Sequence, residues 1–514
     1  MQTSNQLSKA QLNPGFQALI PAILFTLLAL ILRLWQLDAK SIWLDEAFSA
    51  YHSTFSAYEL WTQPISNKPP LYYLITKLFW SPGNGEFALR LPSAIIGALS
   101  VFIAWLLGRE IGGSWSANAL ALLVLISDIN LHYSQEARQY ILLSLGWLLV
   151  MLSLLRLVVK SPEQPGAIWP ELLLAAAGAF IMVHTTLLGF MYLIPALIAY
   201  TGILFAQNKF TKTLGLYPIL VMLLAGTSIL PWLPTGLSNA AETFNWVRQP
   251  KPLLAFFEFM SMFGAKNLVH LGGKELAIGA GICLVLISLA GILHFILRVN
   301  QSRGFLLLGF LLLPPLLIWL VGFIKPIYLV RTITPVHLPA LIGFILTANM
   351  FRTSFGRGLL LSGISLILMT SAAGYFMFYA KEDWRGLSNK LKSKIQHRDA
   401  VIICEKYLYW PMWFYLNEKM PPVLYLNLAK GKLWLKNSAA VTWQAYSLSP
   451  GHKPPATIWE AGRFRYCISD GHPALSHYTG GYYARAQGFT GKAGALKLTP
   501  YHKINLDSLS PTKP

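Results

Sequence analysis

The chain has 514 residues, of which 54% are hydrophobic and only 12% charged. A soluble domain carries nearer about 25% charged residues, so the composition excludes an ordinary soluble enzyme and points to a polytopic membrane protein. The formal net charge of +20 does not argue for nucleic acid, because the basic residues are spread over loops flanking apolar runs and over the tail. Anionic lipid meets them there. Of three cysteines, Cys283 lies in an apolar run. Cys404 and Cys467, in the tail, read as two free thiols, since nothing in their spacing demands a disulfide.

The first apolar run, 16–37, is long enough to cross a hydrocarbon core about 30 Å thick at about 1.5 Å per residue. It lacks a short apolar region followed by a small-residue cleavage site, and so reads as a retained anchor. Further runs follow at 91–107, 117–129, 140–159, 169–183, 187–205, 214–233, 276–297, 305–323, 332–348 and 358–379. The expectation is about eleven transmembrane helices in a domain spanning 1–380.

Basic residues set the orientation. With Lys9 inside, the short inner connections carry Arg109, Arg156 with Lys160, Lys209 with Lys212, Arg298 with Arg303, and Arg352 with Arg357. The same parity puts 37–90, 132–138, 184–186, 234–275, 325–331 and the tail outside. The predicted location is therefore a multi-pass plasma (inner) membrane protein with an extracytoplasmic tail.

That tail, 381–514, loses the long apolar runs and gains charge, Trp, Tyr, Pro and Gly. Residues 383–396 read as a helix with Leu387, Leu391 and Ile395 on one face. The runs 400–404, 422–426, 439–443 and 464–468 have strand length. A small extracytoplasmic α/β domain accounts for them.

The polar residues of the outer side gather at membrane exits. They are Asp45-Glu46; Lys68 with Tyr72 and Tyr73; the stretch from His132 through Glu136 and Arg138 to Tyr140; and Lys325 with Tyr328 and Arg331. Carboxylates and cations at a bilayer boundary suit one reaction type. Cations hold a lipid phosphate while a carboxylate takes a proton from an incoming hydroxyl or amine. Each cluster also has a structural reading. Asp45-Glu46 by itself also fits a solvated interfacial turn; Glu136 and Arg138, two apart, do not face each other on a helix. Tyrosines and tryptophans belong to interfacial belts, Arg331 can snorkel, and a lone His184 is weak support for a metal. Their shared side of the membrane favours the functional reading.

In order, Trp43-Leu44-Asp45-Glu46-Ala47, Pro69-Pro70-Leu71-Tyr72-Tyr73, Phe87-Ala88-Leu89-Arg90-Leu91-Pro92-Ser93, Tyr133-Ser134-Gln135-Glu136-Ala137-Arg138 and Asp383-Trp384-Arg385 resemble a known family. It is that of the GT-C glycosyltransferases that use polyprenyl-phosphate sugars, nearest the bacterial relatives of protein O-mannosyltransferases and the aminoarabinose lipid A transferases. The resemblance implies a GT-C membrane domain whose first outer loop, 37–90, carries the catalytic carboxylates and lies on the membrane as short surface helices. Asp45 would be the base on the acceptor, and Glu46 its partner. Arg138, Lys68 and Arg331 would grip the donor phosphate, and Tyr72, Tyr73, Arg90, Glu136 and Tyr140 would contact substrate. Where the family often has histidine before the Pro-Pro pair, this chain has Lys68. That departure favours phosphate binding by Lys68 and leaves a divalent cation open, with Glu46, His132 and His184 as candidate ligands.

The expected activity is inverting transfer of one sugar from a polyprenyl-phosphate carrier to a lipid, glycan or protein acceptor on the outer face. Two rivals remain on sequence alone. One is a polymerase or ligase of pyrophosphate-linked glycans using the 234–275 loop with Arg248, Lys251 and Lys266. The other is a lipid-linked sugar flippase or transporter, which calls for intramembrane charges, of which the sequence has few, and for repeat symmetry, which it lacks.

Overall fold

A computed structural model of the chain describes residues 17–163, 166–238, 251–260, 262–263, 267–396, 399–403 and 408–417, and in the tail 423–427, 432–436, 444–445, 457–462, 483–485, 489–490 and 497–503. Cys404, Cys467, Arg248, Lys266 and the strand-length runs 439–443 and 464–468 lie outside the described residues. The chain divides into two compact units. One comprises Met1–Trp35, Ala57–Tyr72 and Ser93–Tyr379; the other comprises Gln36–Ser56, Tyr73–Pro92 and Ala380–Pro514.

The first unit is helical. Among the described residues, eight helices are long and apolar enough to cross a membrane: Gly85–Ile126, whose first residues belong to the second unit, Tyr140–Leu157, Gly189–Ala206, Lys212–Leu237, Glu275–Arg298, Gln301–Val321, Val330–Asn349 and Ser354–Phe378. Ile20–Leu34 and Trp169–Thr185 are shorter apolar helices. The runs expected at 91–107 and 117–129 share Gly85–Ile126, which breaks at Gly112-Gly113, where Gly113 takes φ +75. In lipid every backbone amide must be paired within its own segment, and helices achieve this. Leu24, Leu27, Leu28 and Ile31 stand exposed on Ile20–Leu34. An outward leucine row costs nothing where the solvent is hydrocarbon.

Two of these helices are the most covered, with Gly85–Ile126 next at 67%. The apolar windows of Tyr140–Leu157 and Val330–Asn349 are each 83% buried, against 33% for Lys212–Leu237, Glu275–Arg298 and Ser354–Phe378. These two form the inside of the bundle. Arg138 lies just before the first, and Arg331 lies in the opening turn of the second.

The second unit contains a mixed sheet, which among the described residues has eight strands: β1 Ala400–Ile403, β2 Val423–Asn427, β3 Lys432–Lys436, β4 Gln444–Ala445, β5 Thr457–Gly462, β6 Tyr483–Arg485, β7 Phe489–Thr490 and β8 Lys497–Lys503. Their order is β4-β3-β2-β1-β5-β8-β6, with β7 also on β8. Central β1 runs parallel to β2 and β5, with Val401 opposite both Val423 and Trp459. The other pairs are antiparallel. A parallel pair needs a crossover. The Tyr409–Leu416 helix lies between β1 and β2 in sequence.

The helix expected at 383–396 is Trp384–Lys394. Its Asp383 cap accepts from the Gly386 amide at 2.9 Å, and Trp384, Leu387 and Leu391 are buried against Val401, Ile403, Tyr409, Met412 and Leu416. The strand-length runs at 400–404 and 422–426 fall on β1 and β2. The strands β3 to β8 are additions to the sequence reading. In β3, Lys432-Leu-Trp-Leu-Lys436 is bracketed by charge, so it lacks the unbroken apolar run that marks a buried strand.

Candidate active site

In the second unit, Asp45 and Glu46 open the Leu44–His52 helix. Acids in a first turn are favoured by the helix dipole. Neighbours on a helix point about 100° apart, so the two cannot share one environment. Glu46 is fully buried and Asp45 half-buried.

Arg90 approaches the Glu46 carboxylate as a fork, Nε to Oε1 at 2.7 Å and an Nη to Oε2 at 2.9 Å. Its remaining donors reach the carbonyls of Leu37 and Lys40, both at 2.8 Å, and of Ser41 at 3.1 Å. Lys381 Nζ donates to Glu46 Oε2 at 2.8 Å, and the Trp43 amide donates to the same oxygen at 3.3 Å. Burial alone would push this carboxyl up; Arg90 and Lys381 outweigh it and hold it well below the usual range. Glu46 therefore fastens three distant segments at the start of the helix that carries Asp45. Arg90, expected to contact substrate, forms the other end of that fastening.

A second fastening runs alongside. Arg385 Nε and the Tyr415 hydroxyl both donate to Glu86 Oε1 at 2.7 Å, and the Ile42 amide donates to the Tyr415 oxygen at 2.8 Å. Asp383, Trp384 and Arg385 thus serve as cap, core residue and tie. On the Leu44–His52 helix, Phe48 and Tyr51 pack against Trp410 at ring distances of 5.6 and 3.9 Å, and His52 stacks on buried Tyr73 at 4.9 Å.

Lys40 belongs to this cationic neighbourhood. Burial pushes its ammonium down to about 7, and Lys381 and Arg90 add to the effect. A solvated lysine titrates near about 10.4. Between the two values the unfolded chain holds a proton that the folded chain lacks, so this group disfavours folding below about 7 and does so less as pH rises through that window. Lys40 is expected to acylate near pH 7 well ahead of exposed Lys392 and Lys394, as mapped by mass spectrometry. Equal rates would exclude the depressed amine.

The first unit holds the other expected residues. The Asp128–Ser134 helix is followed by a tight turn in which the Arg138 amide donates to the Glu136 carbonyl at 2.7 Å. Glu136 and Arg138 are both buried, at 2% and 3% exposure. Tyr133 sits where the two inner helices begin. Its ring lies 5.2 Å from that of Tyr140. Burial pushes its hydroxyl well up, helped by Glu136 and Tyr140 and opposed by a hydrogen bond with Thr334 and the cation of Arg331. Tyr133 thus marks where Glu136, Tyr140 and Arg331 come together, with Arg138 over the Tyr140 ring at 5.8 Å. Two guanidinium groups and the Glu136 carboxylate therefore gather beside the first turn of Tyr140–Leu157. The sequence reading placed Tyr133 in the 132–140 stretch but gave it no role of its own.

The remaining candidates have local partners. The Tyr72 hydroxyl bonds Ser93 Oγ at 2.7 Å in a buried position, and the Lys68 amide donates to Ser66 Oγ at 3.1 Å. His184 Nε2 bonds Ser228 Oγ at 2.8 Å, with its ring against Phe180 and Trp61. His132 lies 3.9 Å from Glu136 among the rings of Tyr133, Tyr375 and Tyr379. Among the described residues, no three His, Cys, Asp or Glu gather where they could hold a metal ion.

Comparison with known proteins concerns the fold first. ArnT from Cupriavidus metallidurans bound to undecaprenyl phosphate superposes with a TM-score of 0.58 at 13% identity, covering 94% of this chain and 98% of that one. Its apo structure gives 0.59 at 14% identity, covering 93% and 97%. The Archaeoglobus fulgidus oligosaccharyltransferase gives 0.49 at 13%, covering 79% and 64%. The chain shares the GT-C fold of ArnT. More particularly, residues 67–233 match the family model of dolichyl-phosphate-mannose-protein mannosyltransferase. No curated protein matches the chain in sequence.

Proposed function

We propose that the protein is an inverting glycosyltransferase of the plasma (inner) membrane that moves one sugar from a polyprenyl-phosphate carrier to a lipid, glycan or protein acceptor on the outer face. The observation that carries this reading is the fold match to ArnT, which spans nearly the whole of both chains and includes a complex with undecaprenyl phosphate. Residues 1–380 form its membrane domain in this reading, and 381–514 its extracytoplasmic domain.

The acceptor hydroxyl or amine gives its proton to the Asp45 carboxylate as its oxygen or nitrogen attacks the anomeric carbon. The bond from that carbon to the phosphate oxygen breaks, and the electron pair leaves with the polyprenyl phosphate. A phosphate leaves without a general acid if cations meet its growing charge. Arg138, Arg331 and Lys68 are assigned that task. Glu46 acts on the base rather than on the substrate: both its oxygens are engaged, and it fixes the helix that carries Asp45.

The test is sugar transfer by the purified full-length protein in nanodiscs, across a panel of polyprenyl-monophosphate sugars and pyrophosphate-linked glycans. Consumption of one monophosphate donor with release of polyprenyl phosphate is expected. Turnover of pyrophosphate-linked glycans alone would overturn the reading in favour of a polymerase or ligase.

A further inference from the structure

Arg33 lies in the last turn of the Ile20–Leu34 helix and is fully buried. Its Nε donates to Ser134 Oγ at 3.1 Å, and one Nη to Asn130 Oδ1 at 2.9 Å and the Val124 carbonyl at 3.4 Å. The other Nη donates to the Ala29 carbonyl at 3.1 Å. All of these acceptors are neutral. Gln135 answers from the opposite side, its Nε2 donating to the carbonyls of Arg33 at 3.0 Å and Trp35 at 2.6 Å. The clasp is reciprocal: the first helix holds the side chains of 130 and 134, and residue 135 holds the backbone of the first helix.

The clasp closes over Gly97. A side chain there would collide with the Ser134 hydroxyl and come within 2.8 Å of Arg33 Nε. Three elements that are distant in sequence thus converge on one notch.

Burying a cation against neutral acceptors is costly. An aliphatic residue would join helices in lipid at lower cost, so packing alone does not call for arginine. Arginine offers a rigid fork that reaches Asn130 and Ser134 together, an i,i+4 pair on one helix face. The chain leaves this clasp at Gln135 and enters the turn that presents Glu136 and Arg138.

We infer that Arg33 is a positioning residue for the donor phosphate, acting through the 135–139 turn to aim Arg138. The inference rests on the assignment of Arg138 to the lipid phosphate made above. It is tested by measuring undecaprenyl phosphate binding to the full-length protein in nanodiscs for Arg33→Ala, Arg138→Ala and the double variant. Arg33→Ala is expected to weaken binding at least tenfold. The double variant should bind within about twofold of the weaker single one, because both changes remove the same grip. Arg33→Lys, which keeps the charge but not the fork, should bind nearly as poorly as Arg33→Ala. Gly97→Val should do likewise with Arg33 intact, so the test survives if one variant fails to fold. Wild-type binding by Arg33→Ala, full rescue by lysine, or losses that multiply in the double variant would each overturn the inference. Wild-type binding by Arg138→Ala would instead remove the phosphate assignment, and this inference with it.

Discussion

Replacing Asp45 with asparagine is expected to lower the rate of sugar transfer by about 10²–10⁴-fold, the usual worth of a positioned general base, while leaving undecaprenyl phosphate binding within about twofold of wild type. The substitution keeps the shape of the side chain and removes its capacity to take a proton. Asp45 suits this test because the two carboxylates differ in burial: Glu46 is fully buried between Arg90 and Lys381, and Asp45 is half-buried, where asparagine of the same shape can take its place. Loss of rate without loss of folding is therefore the expected signature. Single-turnover transfer from a pre-bound donor separates the chemical step from product release. Normal turnover by the asparagine variant would remove Asp45 from the mechanism.

Breaking the Glu46 fastening should instead register as instability. Glu46→Ala leaves Arg90 and Lys381 without the carboxylate they share at 2.7–2.9 Å. Removing one partner from a buried ion pair costs about 3–5 kcal/mol. The same variant should lose transfer activity as well, because the helix bearing Asp45 loses its anchor. The pH dependence follows from the depressed carboxyl. Glu46 gives up its proton more readily in the folded chain than in the unfolded one, where it titrates near about 4.3. Its stabilisation is therefore fully present above that value and fades as pH falls through the lower range. Thermal melts of wild type and Glu46→Gln should differ most near neutrality and converge on acidification. A gap that stays constant down to pH 3 would mean the ion pair contributes nothing through its charge.

The apolar runs were legible because a hydrocarbon solvent admits so few backbone solutions, and the residues that open the tail were legible because a cap and a helical stripe lie close together in sequence. The difference in burial between Asp45 and Glu46 was not. Both residues have the same chemistry and adjacent positions, and the one that turns inward is decided by Arg90 and Lys381, which no local pattern connects to them. Arg33 illustrates the same limit from the other side. At the end of an apolar run it reads as an ordinary interfacial cation, and its partners Asn130 and Ser134 lie about a hundred residues away. His184 gave the opposite outcome: an isolated polar residue in an apolar stretch found a serine and two rings, as most such residues do.

The bond between Glu46 and Lys381 joins residues 335 positions apart, and this has a consequence for biosynthesis. At about 5–20 residues per second, the ribosome delivers Lys381 roughly 20–70 s after Glu46. Arg90 arrives within seconds and can neutralise the carboxylate early. The second cation comes only when the last apolar helix has been made. The locked form of the Asp45 helix is therefore a late product of synthesis, and a chain stalled before residue 381 would carry the carboxylates without the fastening that completes them.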